Sequence, residues 1–255
     1  MAGHDAARAG ASCMALVERA QDWFAGPLGR FLLSQEREAL ERQLGHYFGG
    51  FMISYGPALP PRAKKIQHSV HLGPPLPGVK IACREDAWPL SEGSADLVLL
   101  QHGLDFSRSP HGLLREAART VRPGGHLLII GINPWSAWGV RRLVSLSVLR
   151  KARCIAEPRI VDWLNLLGFS VERRLFGGYC PPVSTPYWQR RLNGLESLGR
   201  YLGPVGAGYY MVSARKLVLG LRPLPKRQRN ELRGQLLPLP VAKISRRDSK
   251  PGDCQ

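Results

Sequence analysis

Hydrophobic residues between Ser94 and Trp138 follow two different periods. Two apolar runs of strand length, Leu97–Leu100 and Leu127–Ile132, flank a segment whose apolar positions have helical spacing. Short apolar runs bounded by turn residues are typical of strands buried on both faces. Parallel strands joined through a helix need a right-handed crossover. The pattern therefore predicts a strand–helix–strand unit.

The helix of this unit has recognisable ends. Ser109 is a good N-cap, and Pro110 falls at the first helical position, where its missing N–H is not needed. One face of the helix is apolar, through Leu113, Leu114, Ala117, Ala118 and Val121. Pro123 and the two glycines after it end the helix. The loop that begins at Gln101 then lies at the carboxyl end of a strand, where open parallel sheets bind ligands.

The rest of the chain continues the mixture of strands and helices. Further strands are predicted at Phe51–Tyr55, Ile66–Leu72, Val79–Arg84, Phe169–Phe176 and Gly208–Val218. Further helices are predicted at residues 5–24, Leu28–Phe48, Trp138–Arg150, Pro158–Leu167 and Tyr187–Leu202. We expect a helical extension over residues 1–24, an α/β domain over residues 25–220 and a tail over residues 221–255. The tail is rich in Pro, Arg and Gln, and we expect it to be disordered.

Composition indicates the location of the protein and the kinds of site that we expect in it. No apolar run approaches the 18 or more residues of a membrane span. The N-terminal stretch contains acidic residues and no apolar segment typical of a secretory signal. The five cysteines show neither CxxC pairing nor metal-ligand spacing. We therefore expect a cytoplasmic protein without a membrane span or a metal.

The net charge of +17 is unusual for a chain of 255 residues. Residues 222–255 contribute nine Lys and Arg against three acids, and the remaining excess is spread over the earlier residues. Such a field attracts nucleic acid or another anionic surface without any specific site. The alternative is a basic surface that is only solvated, which is the commoner outcome for blocks of like charge.

Three strings carry a resemblance to a known family. They are Asp86-Ala87-Trp88-Pro89-Leu90, Ser94-Ala95-Asp96-Leu97-Val98, and the helix that ends at Gly125. Together they resemble the type 11 group of class I SAM-dependent methyltransferases, and Gly131–Gly139 is similar to a bacterial subgroup of it. The resemblance implies a Rossmann-like, doubly wound, mostly parallel sheet of seven strands, with an antiparallel strand near Gly208–Val218. It also implies S-adenosyl-L-methionine (SAM) as the cofactor and an unidentified methyl acceptor.

The resemblance also implies which residues would form the site. Asp86, followed by Ala87, matches the family's acid at the adenine amino group, a role that suits a hydrogen-bond acceptor. Gly56 matches the first glycine of the cofactor loop. Gln101 and His102 follow the fourth strand and face the predicted cleft, and with Ala87 they are further candidates for binding the cofactor. His102 is a candidate base near neutral pH. The alternatives are a turn or capping role for Asp86, a plain strand-ending glycine at Gly56 and a satisfied structural histidine at His102.

Two departures from the family pattern favour a different function. The family has an acidic residue followed by G-x-G-x-G, whereas residues 54–60 read Ser-Tyr-Gly-Pro-Ala-Leu-Pro, with Ser54 in place of the acid. No Asp or Glu occurs in residues 64–78, where the family binds ribose, and His68 and His71 are the polar candidates. The alternative is a non-catalytic methyltransferase-fold protein that binds nucleic acid or a protein partner through its basic surface. A nicotinamide dehydrogenase is excluded because no G-x-G-x-x-G follows an early strand.

Overall fold

The computed structural model describes residues 2–145, 147–182 and 204–217, with the side chains of residues 2–13 not described. The strands are β1 (Gly49–Tyr55), β2 (Ile66–Gly73), β3 (Ile81–Ala82), β4 (Ala95–Gln101), β5 (Val121–Ile132), β6 (Phe169–Gly177) and β7 (Tyr209–Lys216). The helices are α1 (Ala2–Ala25), α2 (Pro27–Leu44), α3 (Pro110–Thr120), α4 (Ala137–Val144) and α5 (Glu157–Leu166). The predicted helix at Tyr187–Leu202 and the predicted tail at 221–255 lie outside the described residues.

The seven strands of the described chain form one sheet in the order β3-β2-β1-β4-β5-β7-β6. Strands β1 to β5 are parallel, and β7 runs antiparallel between β5 and β6. Val98 of β4 pairs with Leu127 of β5, and α3 connects these two strands. The predicted strand–helix–strand unit, the mostly parallel sheet and its antiparallel strand are therefore confirmed.

Three predicted elements are shorter than expected. The helix predicted at Leu28–Phe48 ends at Leu44 as α2, before the turn that leads into β1. The strand predicted at Val79–Arg84 is reduced to Ile81–Ala82, because Arg84 already pairs with Ala87 across a tight turn. The helix predicted at Trp138–Arg150 is divided into α4 and a short 3₁₀ turn, Val148–Lys151. A serine hydroxyl caps the start of each piece, which explains the division.

Helices cover both faces of the sheet. On one face, α3 and α5 pack on the strands through residues such as Leu113 and Ile160. On the other face, α2 packs through Leu40 and Leu44 against β4 residues that include Leu97. The sheet is thus doubly wound, and its central strand β4 is buried along its whole length.

The connection from β1 to β2 contains no helix. Parallel neighbours are normally joined through a dozen or more residues that form a helix, but here only residues 56–65 make the crossover. Pro57, Pro60 and Pro61 restrict this segment and remove three backbone donors. Ala63 in the crossover packs into the same cluster as α2. An extended chain therefore lies where a crossover helix is usual.

The N-terminal helix α1 packs against the carboxyl end of the sheet. Its residues Ala20 and Phe24 are buried in a cluster with Phe106, Ile132 and Trp138. Among the described residues, no helix combines the length and apolarity needed to cross a membrane. Helix α1 therefore lies at the edge where the sequence predicts the site.

Candidate active site

Gly56 is the first residue after β1 and lies beside the end of β4. Its φ of +151° is a conformation that residues with a side chain rarely adopt. A Cβ at this position would overlap the backbone carbonyl oxygen of Gln101. The close approach of β1 and β4 thus requires a glycine at this position, whether or not a ligand binds. The predicted cofactor role of Gly56 remains a prediction beside this packing role.

The carboxyl ends of β1, β2 and β4 surround a small space. Helix α1 closes it with Val17 and Gln21. The strand ends contribute Tyr55, Gly56, Pro57, Gly73, Pro74, Gly103 and Phe106. Its empty volume is about 270 Å³, and the space is too narrow for a free water molecule. In this conformation the space at these strand ends has no room for SAM.

The position of the family's acid is occupied by a serine–histidine pair. The Ser54 hydroxyl and His71 Nδ1 are 2.9 Å apart, and both side chains are buried. Burial lowers the pKa of His71, an effect that a hydrogen bond with the backbone of Gly56 opposes only in part. His71 is therefore neutral at pH 7, and the pair brings no negative charge to the cofactor space.

Asp86 is exposed and paired with a neighbouring cation. Its two carboxylate oxygens accept hydrogen bonds from Arg84 Nε at 3.0 Å and Nη2 at 2.9 Å. Ala87 follows it in the turn after β3 and is also exposed. Neither residue lines the space at the carboxyl ends of the strands described above. Their predicted role at the adenine ring therefore remains a prediction.

Glu85, which the sequence analysis did not identify, is the buried acid of this turn. Its carboxylate accepts hydrogen bonds from the Ser107 hydroxyl at 2.8 Å and from the backbone N–H of Ser109 at 2.9 Å. These donors lie just before α3, so the negative charge of Glu85 stabilises the partial positive charge at the N-terminus of this helix. The sequence signal for this acid is the helix start at Ser109–Pro110, because the N–H groups there need an acceptor. Ser109 does not supply it, since its side chain makes no cap.

His102 is held between two carboxylates at the end of β4. Its Nε2 is 2.8 Å from Glu36 Oε1, and its Nδ1 is 3.0 Å from Asp105 Oδ2. All three side chains are completely buried, and the ring of Phe24 stacks on the imidazole at a centroid distance of 5.0 Å. Gln101 donates to the other oxygen of Glu36 at 3.4 Å. The cluster therefore ties α2 to the loop after β4.

The charge of this cluster argues against a base at His102 in this conformation. Burial alone would lower the pKa of His102, but the carboxylates of Glu36 and Asp105 outweigh it and raise the pKa to about 10. A protonated imidazole has no free lone pair with which to accept a proton. The geometry matches the satisfied structural histidine of the sequence analysis, and the catalytic role remains a prediction.

Glu36 was also missed by the sequence analysis, although a signal was present. It lies between Leu32 and Leu40 at i+4 spacing, and all three are fully buried. A carboxylate in the middle of an apolar helical stripe needs a buried partner, because an unpaired buried charge is strongly destabilising. That partner is His102, 66 residues further along the chain.

Comparisons with known proteins agree with this fold. Residues 58–129 match a family model described as a methyltransferase domain. A SAM-dependent methyltransferase of Thermotoga maritima is similar with a TM-score of 0.54 and 18% identity, covering 78% of this chain and 95% of that one. A SAM-dependent methyltransferase of Archaeoglobus fulgidus has a TM-score of 0.50 and 14% identity, covering 71% and 92%. Identities this low establish the fold alone.

A curated relative is more similar in sequence. The uncharacterized protein YafS of Escherichia coli K12 is 36% identical over an alignment of 147 positions, and the match covers 53% of this chain and 60% of that protein. The chain thus matches less than two thirds of its relative's length. The family match covers residues 58–129, which lie within the seven-stranded, mostly parallel sheet of this chain.

Proposed function

We propose that the chain is a SAM-dependent methyltransferase acting on an acceptor not yet identified. The observation that carries the proposal is the methyltransferase-domain match over residues 58–129, which runs from the end of β1 into β5. These residues include Gly73 and Gly103, which line the space where open parallel sheets bind ligands. The free thiols of Cys83 and Cys154 accord with a reducing cytoplasm as the proposed location.

Cofactor binding on this proposal requires α1 to move. Val17 and Gln21 of α1 line the space at the strand ends, so a conformation competent for SAM has these side chains displaced. When the competent state is a minor population, the apparent dissociation constant rises in inverse proportion to that population. We therefore propose weak SAM binding in the full-length chain, limited by the closed position of α1.

Asp86 is the residue we propose for the adenine amino group. In that role its carboxylate exchanges the pairing with Arg84 for a hydrogen bond to the ligand. A donor left without an acceptor costs about 1–3 kcal/mol, so Asp86→Ala should weaken binding by roughly tenfold. Asp86→Asn should lose less, because its amide oxygen still accepts. The neighbouring change Glu85→Ala serves as the control, since it should lower stability through the α3 start.

Calorimetric titration of the chain with S-adenosylhomocysteine tests both the cofactor binding and the role of Asp86. Saturable binding that Asp86→Ala weakens, with an unchanged thermal midpoint, supports the enzyme and the Asp86 assignment. Binding that neither Asp86 variant changes contradicts the assignment alone. Complete absence of binding, at concentrations up to the solubility of the protein, contradicts the proposed function.

The closed space at the carboxyl edge favours a second candidate. A non-catalytic methyltransferase-fold protein needs no room for SAM, and the neutral Ser54–His71 pair suits such a protein. It would bind nucleic acid or a protein partner through the basic surface that produces the charge of +17. The titration above separates the two, because this candidate binds no S-adenosylhomocysteine.

A further inference from the structure

Helix α4 is apolar on its outer face as well as on its inner face. On the inner face, Trp138 is buried and donates its indole N–H to the backbone carbonyl of Cys180 at 3.1 Å. A helix at a protein surface normally carries polar residues on the side away from the core. Here Val140 and Leu143, three residues apart on one face, are 59% and 68% exposed. The packing of α4 within the chain therefore does not account for these two side chains.

Trp135 continues this face beyond the start of the helix. It directly precedes the N-cap residue Ser136, and Val140 is the fourth residue of α4. These two positions are neighbours at a helix start, where apolar side chains commonly meet. The Trp135 side chain is 76% exposed although its backbone is held, because its N–H donates to Asn133 Oδ1 at 3.1 Å. The large ring is thus fixed in an outward position.

A second segment brings another apolar side chain to the same place. The N–H of Gly206 donates to the backbone carbonyl of Trp135 at 3.3 Å, and Val205 just before it is 69% exposed. Single exposed apolar residues are common, but a contiguous group of them marks an interaction surface. We call this group the apolar patch, and it consists of Trp135, Val140, Leu143 and Val205.

Cations surround the apolar patch. Residues 141–153 contain five Lys and Arg, and residues 117–156 contain no Asp or Glu. The Arg142 guanidinium donates to the carbonyl of Ala152 at 2.8 Å, which holds the 3₁₀ turn beside α4. That turn carries Arg150 and Lys151, both exposed. Asp22 of α1 lines a cleft with Lys151 and supplies an acid from outside the segment. The local charge is therefore strongly positive.

An apolar face bordered by cations fits the surface of a membrane that contains anionic lipids. Trp is favoured where hydrocarbon meets water, and aliphatic side chains enter the layer beneath the headgroups. Lys and Arg are attracted to the negative charge of the headgroups. A nucleic acid would use the cations but not Val140 or Leu143. A second copy of the chain would bring like charges together, because a two-fold interface joins the same patch of both copies.

We propose that the apolar patch inserts into the surface of an anionic lipid membrane, with Arg150 and Lys151 at the lipid phosphates. This is attachment to one leaflet, because the eight residues of α4 are far fewer than the ~20 of a spanning helix. Helix α4 follows β5, so attachment holds the carboxyl edge of the sheet near the lipid. The proposal stands whether or not the chain transfers a methyl group.

Sedimentation of the chain with lipid vesicles tests the class of partner. Vesicles of equal parts phosphatidylglycerol and phosphatidylcholine should bind the chain, and pure phosphatidylcholine should bind it about tenfold more weakly, because its net charge is zero. Failure to bind the anionic vesicles overturns the proposal. Equal binding to both kinds of vesicle also overturns it, since the cations would then have no part in attachment.

Two leucine variants of equal charge test insertion. Leu143→Glu on α4 and Leu166→Glu on α5 each replace an exposed leucine and lower the net charge by one. Leu143→Glu should weaken binding to the anionic vesicles about tenfold, because a carboxylate is costly among lipid chains. Leu166→Glu should leave the affinity within about twofold of the wild type. Equal weakening by both would show attraction to net charge alone and overturn insertion.

Two double variants of equal charge locate the headgroup contacts. Arg150→Gln with Lys151→Gln removes two exposed cations beside the apolar patch and should weaken binding to the anionic vesicles about tenfold. The control is Lys64→Gln with Lys65→Gln, which removes two exposed cations from the crossover before β2 and should have a much smaller effect. Equal effects of the two pairs would overturn the assignment of Arg150 and Lys151.

Measurements without vesicles test the other possible occupants of the apolar patch. Leu143→Glu and Leu166→Glu should have the thermal midpoint of the wild type. A lower midpoint for Leu143→Glu alone would show that the patch packs within the chain, which overturns the proposal. In analytical ultracentrifugation the wild type and Leu143→Glu should sediment as the same species. Dissociation of a wild-type oligomer by Leu143→Glu would assign the patch to a second copy of the chain and also overturn it.

Discussion

At the scale of single residues, His102 shows how a side chain expected in a site can instead join two elements. Its imidazole bonds Glu36 on α2 and Asp105 in the loop after β4, and Asp105 also accepts the backbone N–H of Ile132 at 2.9 Å. Because the cluster is completely buried, its hydrogen bonds are not weakened by water. Its protonation is therefore coupled to the stability of the fold.

The first prediction concerns the charge of this cluster. The pKa of His102 is about 10 in the folded chain and about 6.5 when unfolded. Its contribution to stability is therefore complete below about pH 6.5 and is lost as the pH rises through about 10. Glu36→Gln removes one of its anions, so this pH dependence should shrink. The free energy of unfolding at about pH 7 should fall by roughly 3 kcal/mol.

Urea denaturation at several pH values between about 6 and about 10 measures both effects. Glu41→Gln on the same helix is the matched control, because its exposed pair with Arg37 is worth only about 0–1 kcal/mol. A Glu36→Gln chain with the stability and pH profile of this control would show that the buried cluster does not hold His102 protonated.

The second prediction concerns Gly56. A Cβ there would overlap the carbonyl oxygen of Gln101 at an unfavourable φ, so Gly56→Ala should lower the free energy of unfolding by about 3 kcal/mol. Gly50→Ala on β1 is the control, because the atom nearest to a Cβ at that position, an Asp96 carboxylate oxygen, lies at an ordinary 3.6 Å. Urea denaturation without any ligand measures both. Equal, small losses would show that the glycine serves a ligand and not the contact with β4.

The sequence predicted which residues lie at the strand ends but not the partners of these residues. Gly56, Gln101 and His102 were predicted correctly at strand ends, because strand length and turn residues are local signals. The partner of His102 could not be predicted, because Glu36 comes from a helix whose packing depends on the whole sheet. Pairing between distant positions is a tertiary property that a single sequence does not display.

At the scale of elements, the sequence gives little information on how the helices pack at the carboxyl edge of the sheet. The helical period of residues 5–24 predicted a helix, which α1 confirms. Periodicity does not state what an apolar face packs against, and Phe24 lies on His102 and Phe106. The sequence of the crossover between β1 and β2 shows only that the segment is rich in proline. It forms no helix because ten residues are too few for the usual helical connection between parallel strands.

The third prediction concerns α1 as a barrier to the cofactor. Val17→Ala removes two methyl groups from the closed space and weakens the closed packing by about 1–2 kcal/mol. The proposed open state then becomes more populated, so affinity for S-adenosylhomocysteine should rise by about tenfold. Glu18→Ala, an exposed neighbour on α1, should change nothing. Calorimetry on both variants measures this, and equal affinities would contradict closure by α1.

At the scale of the whole molecule, the mostly parallel sheet was predicted from the sequence and the binding surface was not. Right-handed crossovers allow few arrangements once the strand and helix order is known, and the type 11 resemblance supplied the antiparallel strand. The charge of +17 is a sum over the chain and indicates attraction to anions without locating it. The groove between the crossover segment and β2 could not be predicted, since it depends on how residues 56–65 lie over the sheet.

The fourth prediction concerns this overall charge. If the basic surface binds nucleic acid, the affinity of the full-length chain for a single-stranded RNA of about 20 nucleotides should fall at least tenfold between about 50 and 200 mM salt. The reason is that each neutralised phosphate releases counterions, and six to ten contacts lose about 10³–10⁵ in affinity over that range. A chain ending at residue 221, which lacks nine cations, should show a shallower dependence on salt. Fluorescence anisotropy at several salt concentrations measures both slopes. Affinity that does not respond to salt, or no binding at about 50 mM, would contradict binding through net charge and leave the +17 as a solvated surface.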